Sequence, residues 1–240
     1  MGFEFYDKEL KILEESMNLN EDVIKKVARK MADVIEDDKI IHTFGSGHSH
    51  MAGLELFARA GGLGNVDAML DSNATLSEGT IRSSALEKQS GLADIIYDRY
   101  NISKGDMMII TSNSGRNAMP IEMAMRCKKE GIFVVAITNL EQSKSATSRH
   151  PSGKKLYEFA DIIIDSHIPS GDAIMEVGSY KIGPASSITT FMILDTIYTE
   201  AIKMVVADGK KPYVLQSQNV DGFNNDDIYK HFMGRVKHYY

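Results

Sequence analysis

Between Asp22 and Glu36 the apolar residues Val23, Ile24, Val27, Met31, Val34 and Ile35 recur at helical spacing, which predicts an amphipathic helix with one face on a core. The period then changes. Ile40-Ile41-His42-Thr43-Phe44 is a β-branched and aromatic run that stops at Gly45-Ser46-Gly47, and a helical pattern follows from Ser49 to Ala60. The same order returns downstream: Met107 to Thr111 reads as a strand, Ser112-Asn113-Ser114-Gly115 as a turn, and Ala118 to Glu130 as a helix with Pro120 in its first turn. Gly131 is placed to cap that helix, and Ile132 to Ile137 is a further strand. Ile162-Ile163-Ile164 adds another, and Val66 to Leu70 a weaker one.

Strands that are apolar at nearly every position, alternating with helices, are what a parallel sheet covered on both faces requires. The expected fold is therefore α/β, a doubly wound three-layer sandwich around a central, mostly parallel sheet of about five strands. Residues 1–38 read as a helical segment packed on the core, 39–207 as the main domain and 208–240 as a polar, asparagine-rich extension with a helix near Asp226 to Val236. Two long irregular stretches, Asp71 to Gly91 and Asn139 to Lys155, are of the kind that carry function or move.

Composition narrows the function. A chain of 240 residues that is 43% apolar can bury a core without disulfides or metals. The formal charge of -6 argues against a general nucleic-acid binder, because phosphate-backbone recognition needs a concentrated basic surface. Cys127 is the only cysteine and sits in a helical pattern, where it reads as a small core residue in a reducing compartment. The acidic start of the chain lacks the basic region of a signal peptide, and Ile188 to Val206 is interrupted by Asp195, Glu200 and Lys203. A cytoplasmic protein with no membrane span is expected.

Candidate chemistry gathers where strands end. Thr111 to Asn117 places hydroxyls, amides and a glycine between a buried strand and a helix start, where free N–H groups and the helix dipole favour an anion. Ser112, Asn113, Ser114 and Asn117 can donate to its oxygens, although Ser114 and Asn117 can equally serve as helix caps. Gly45-Ser46-Gly47-His48-Ser49-His50 also ends a buried strand and starts a helix, so the two loops can face one ligand. His50 stands where a dinucleotide fingerprint needs its last glycine, and the Walker lysine is missing.

These residues resemble the SIS (sugar isomerase) domain family, in particular its branch of sugar isomerase domain proteins akin to phosphoheptose isomerases. The family's phosphate loop, Ser-x-Ser-Gly-x-Thr, is matched by Ser112 to Asn117 with asparagine in place of the last threonine. Its first loop is similar to Gly45-Ser46-Gly47-His48-Ser49, and its last motif to Gly183-Pro184-Ala185-Ser186-Ser187 opening a long helix; the likeness runs from Ile24 to Val206. The resemblance implies a sugar-phosphate ligand held by Ser46, Gly47, Ser49, Ser112, Asn113, Ser114, Asn117, Ser186 and Ser187. It also implies a homodimer or homotetramer, with no cofactor and no metal.

Aldose–ketose isomerisation needs a base to move a proton between C1 and C2, with acid/base help in ring opening. His48, preferred over His50, starts the helix beside the proposed site. Glu55 follows on that helix and is either the base or the i,i+4 partner of Arg59. Glu78 in the long loop and Glu176 in Ala173-Ile174-Met175-Glu176-Val177 are further candidates, and His150 lies in a basic loop from Ser148 to Lys155. Family isomerases of the amidotransferase type carry a glutamate where Lys181 stands, so a non-catalytic sugar-phosphate sensor and an etherase-type lyase on an amino-sugar phosphate remain open beside the isomerase. An enzyme requires Glu55, Glu78 or Glu176 at the sugar end of the site.

Overall fold

The structure, a computed structural model, describes residues 2–240. Five strands, β1 (Ile41–Gly45), β2 (Val66–Ala68), β3 (Met107–Thr111), β4 (Phe133–Thr138) and β5 (Ile162–Asp165), form one parallel sheet in the order β2-β1-β3-β4-β5. The helices are α1 (Glu4–Glu36), α2 (Met51–Leu56), α3 (Thr80–Leu86), α4 (Leu92–Tyr97), α5 (Ala118–Glu130), α6 (Leu140–Ser145), α7 (Ser186–Ala207) and α8 (Asp226–Phe232).

Strand alternation divides the core in two. Ile41, Met107, Ile109, Val135 and Ile137 pack against α1, α2 and α7 on one face, whereas Phe44, Met108, Ile110, Val134 and Ala136 pack against α4 and α5 on the other. Both faces are covered, which is why β1 and β3 are buried at every residue. The chain runs outward one way from β1 to β2 and the other way from β3 to β5, so a crevice opens between the carboxyl ends of β1 and β3.

Several boundaries differ from those read in the sequence. Helix α1 begins at Glu4 rather than near Asp22, because the buried side chains of its first half are Glu9, Ser16 and Asn20 and the inward face shows no apolar period. Those groups are used instead in bonds: Thr189 Oγ1 donates to Glu9 Oε1 (3.3 Å) and Asn20 Nδ2 to the Asp165 carbonyl (2.7 Å). Helix α2 stops at Leu56, short of Ala60, since Phe57 is extended and Ala58 turns left-handed at φ 55°. The two long stretches contain α3 and α6.

Gly183 and Pro184 do not themselves open the long helix α7, which begins at Ser186. They end β7 (Tyr180–Pro184), which pairs antiparallel with β6 (Ala173–Val177) in a projecting hairpin. The C-terminal stretch is no loose extension either: Phe232, Val236 and Tyr239 bury against Ile40, and Arg235 Nη1 donates to Asp38 Oδ2 at 2.8 Å. It closes the amino-terminal end of the sheet.

At that end His42 is fully buried, with Nδ1 3.4 Å from Asp67 Oδ2 and Nε2 3.3 Å from Asp106 Oδ2. Burial alone would favour a neutral ring, but hydrogen bonds to Asp106 and Asp67 outweigh it and raise the His42 pKa. Burial likewise works to raise Asp106, yet bonds from His42 and from the N–H groups of Ile40 (2.9 Å) and Ser103 (2.7 Å) hold it below the usual carboxylate range.

Candidate functional site

The opposite, carboxyl end of the sheet carries the cleft. Its phosphate-loop wall is built by β3 handing the chain to α5. Ser112 N–H donates to the Ile137 carbonyl (3.0 Å), and the Asn113 carbonyl accepts from Asn139 N–H (2.9 Å) and Thr138 Oγ1 (3.1 Å). Gly115 turns left-handed at φ 55°, where an added Cβ would lie 2.8 Å from Ser143 Oγ. Only glycine lets the loop lie that close to β4 and α6.

The N–H groups of Asn113, Ser114 and Asn117 then have no acceptor among the described residues, and the Asn117 side chain makes no capping bond to α5. The helix start is therefore open to an anion, and the capping alternative for Asn117 is not what the structure contains. Its Oδ1 instead accepts from Arg149 Nη1 at 3.0 Å. The start of α7 is different: Asp172 Oδ1 accepts from the N–H groups of Ala185 (3.1 Å) and Ser186 (2.7 Å), and its Oδ2 from Ser186 Oγ (2.8 Å). A carboxylate of the chain already occupies that helix end.

Facing the phosphate loop is the turn after β1. A Cβ at Gly45 would run into the Ser49 carbonyl, so the chain folds tightly back over it into a short 3₁₀ turn, Gly47–His50. Ser46 Oγ donates to Glu87 Oε2 at 3.1 Å, and the Glu87 carbonyl accepts from Met119 N–H, also at 3.1 Å. Glu87 is thereby fixed between the two loops.

The resulting open cleft of about 280 Å³ is lined by Ser46, Ser49 and Glu87 on one side, by Ser112, Asn113, Ser114 and Asn117 on the other, and closed by Gln142, Gly171 and Asp172. A narrower hollow adjoins it, sharing Ser49 and Asn113 and bounded by His48, Thr111, Thr138, Ser166, Ser186 and Ser187. Neither Glu87 nor Asp172 forms an ion pair with a lysine or arginine among the described residues.

The sequence-derived residues divide accordingly. Ser46, Ser49, Ser112, Asn113, Ser114, Asn117, Ser186, Ser187 and His48 come together around the cleft and its hollow. Gly47 shapes the turn, but its N–H is given to the Ala74 carbonyl (2.9 Å). Four named acid/base candidates lie elsewhere. Glu55 is paired with Arg59 at 3.2 Å and lies near the partly buried Asp195 of α7. Glu78 is exposed in the loop before α3, and Glu176 projects from the hairpin, 3.9 Å from Lys181. His150 packs with Nε2 3.3 Å from Glu122 Oε1 and Nδ1 2.7 Å from Ser152 Oγ, on the outside of α5. Cys127 is buried, and burial pushes its thiol up to about 12, in keeping with a core residue.

Residues 4–139 match the model of the SIS domain. The chain belongs to the SIS domain family. It is 38% identical over 220 residues to UPF0309 protein BH0227 of Halalkalibacterium halodurans, covering 91% of this chain and 88% of that protein. It is 39% identical over 219 residues to UPF0309 protein lin2794 of Listeria innocua, covering 90% and 89%. The SIS fold is shared with a phosphoheptose isomerase from Francisella tularensis at TM-score 0.56 and 14% identity, covering 83% of this chain and 95% of that one. It is shared also with the Vibrio vulnificus NanR protein complexed with ManNAc-6P, at TM-score 0.53 and 16% identity, covering 85% of this chain but 62% of that one.

Two carboxylates of this SIS cleft were not found by reading the sequence. Glu87 follows a polar helix and lies 41 positions from Ser46, so no local pattern marks it. Asp172 sits at φ 73° in the turn Pro169-Ser170-Gly171-Asp172, where an aspartate reads as turn chemistry. Among the described residues no helix is long and apolar enough to cross a membrane.

Proposed function

We propose that this SIS domain binds a sugar phosphate and interconverts its aldose and ketose forms. The observation that carries the reading is the convergence of an open α5 start, with its free N–H groups and hydroxyls, on Glu87 across the same cleft. The phosphate takes the Ser112 to Asn117 loop, because the start of α7 is already filled by Asp172. The sugar then extends toward Glu87 and the hollow bounded by His48 and Ser187.

In this scheme the Glu87 carboxylate removes the C2 proton of the open-chain aldose, leaving a 1,2-enediolate, and returns it to C1. A second proton moves between O1 and O2 through His48, which also serves ring opening. The relatives support a phosphosugar ligand by kind: the Francisella structure is a phosphoheptose isomerase, and NanR was solved with ManNAc-6P. The chain is further proposed to act as a homodimer or homotetramer, for which Val177 and Tyr180 of the hairpin, 56% and 72% exposed, offer apolar surface.

The test is a thermal-shift screen with hexose, pentose, heptose and amino-sugar phosphates, followed by proton NMR of each stabilising compound with protein in deuterated water. Deuterium entering C1 or C2 is expected. Binding of several sugar phosphates without exchange in any would replace the isomerase by the second reading, a sensor, which is favoured by the location of Glu55, Glu78 and Glu176 outside the cleft.

A further inference from the structure

The cleft has an electrostatic deficit. Its lining contains two carboxylates, Glu87 and Asp172, and no lysine or arginine. A phosphate brought to the start of α5 adds roughly two more negative charges near neutral pH. Free N–H groups and a helix dipole equivalent to about half a charge do not balance that sum. Of the nearby cations, Arg116 in the loop itself has a buried Nε with no hydrogen-bond partner among the described residues, and two lysines are committed elsewhere. Lys155 is buried and gives its ammonium to the carbonyls of Ser143 and Ala146, and burial together with Arg116 lowers its pKa. Lys181 stands on the hairpin beside Glu176.

Arg149 differs. Among the described residues it is the one lysine or arginine bonded to a cleft-lining side chain, through Nη1 to Asn117 Oδ1 at 3.0 Å. Its backbone is stitched in place: Arg149 N–H donates to the Arg116 carbonyl (2.8 Å), and Leu156 N–H donates to the Gly115 carbonyl (3.0 Å) at the other end of the same loop. His150, 10% exposed and 3.3 Å from Glu122, pins the loop to α5 immediately after the arginine. This is a braced arm beside the phosphate loop. An amide oxygen is a weak partner for a guanidinium, and exchanging it for a phosphate oxygen makes a charge-assisted bond.

We infer that Arg149 is the phosphate-binding cation of this cleft, held in waiting on Asn117 and transferred to the ligand when the anion arrives. The inference rests on the sugar-phosphate reading, and adds to it a residue contributed from outside the phosphate loop. It makes the site selective for a dianionic group over a neutral or singly charged one of the same shape.

Calorimetric titration of the whole protein with inorganic phosphate provides the test, with Arg149→Ala, Arg149→Lys and Lys154→Ala compared to the unchanged chain. Lys154 lies on the same loop, exposed and paired with Glu158, so its removal changes net charge equally without touching Asn117. Arg149→Ala is expected to raise the phosphate dissociation constant about tenfold or more, Arg149→Lys to fall between, and Lys154→Ala to stay within about twofold. Equal affinities for Arg149→Ala and Lys154→Ala overturn the role of Arg149 and leave the phosphate loop standing. Absence of saturable phosphate binding by the unchanged protein sinks the sugar-phosphate reading, and Arg149 with it.

Discussion

The two ends of the central sheet both concentrate charge, but they treat it in opposite ways. At the amino-terminal end His42 pairs with Asp67 and Asp106 out of solvent, and the C-terminal segment seals them, with Lys237 N–H on Asp67 Oδ1 at 3.1 Å. At the carboxyl end Glu87 and Asp172 have no lysine or arginine partner among the described residues, and the α5 start has N–H groups with no acceptor among them. A charge cluster closed on itself supports the fold, whereas polar groups left open around a cavity await a ligand. Burial and pKa displacement point to the amino-terminal end, where the displaced histidine is enclosed between two carboxylates.

Substitutions at the open end are expected to act mainly on turnover and ligand binding, and those at the closed end on stability. Glu87→Gln keeps the shape and the Ser46 contact, and is expected to lower isomerisation about 10²–10⁴-fold while sugar-phosphate affinity is retained. Single-turnover NMR beside calorimetry separates the two. A parallel loss of affinity would make Glu87 a binding residue only. His42→Ala leaves two buried carboxylates facing each other, and a loss of about 3–5 kcal/mol is expected in urea unfolding.

Little of this asymmetry was legible in the sequence. The strands β1, β3, β4 and β5 announce themselves as apolar runs because both faces of the sheet are covered, and α5 by its Gly131 cap. The phosphate loop follows from its place between strand and helix. Helix α1 was half hidden because Glu9, Ser16 and Asn20 point inward, and hairpin β6–β7 because its residues are exposed and follow no buried period. Glu87 was invisible for a different reason: its role depends on Ser46 and Met119, contacts made by folding rather than by spacing. His42 did carry a signal, as a histidine inside an otherwise apolar strand, and its partners lie on β2 and just before β3.

The pH dependence of stability sharpens the amino-terminal side. Because the folded pKa of His42 is raised, its contribution is complete below the ordinary imidazole value of about 6.5 and is lost as pH rises through the higher folded value. The lowered Asp106 acts in reverse: its contribution is present above about 3.9 and is lost as pH falls through the lower folded value. Urea midpoints of the unchanged protein should therefore fall as pH is raised above neutrality. In His42→Asn that slope should vanish, and its persistence would assign the alkaline loss to another group.

A smaller effect is expected from Gly115→Ala at the carboxyl end. The left-handed backbone at φ 55° costs alanine about 1–2 kcal/mol, and its Cβ meets Ser143 Oγ at 2.8 Å. Thermal unfolding should register the cost, and phosphate affinity should fall with it, since the loop holding the free N–H groups must shift.

The smallest expected effect belongs to Glu176→Gln, and it decides whether one chain holds the whole cleft. Glu176 is 74% exposed on the hairpin, and its contact with Lys181 at 3.9 Å is of the surface kind that contributes little. If the site is complete within one chain, turnover should stay within about twofold and the melting temperature should not move. The hairpin nevertheless presents exposed Val177 and Tyr180 beside Glu176, as a segment reaching to a second copy would. A tenfold fall in turnover at unchanged melting temperature would mean that the hairpin of one copy completes the cleft of the other. In that case the contrast between the two ends of the sheet extends to the oligomer, with the closed end belonging to one chain and the open end shared by two.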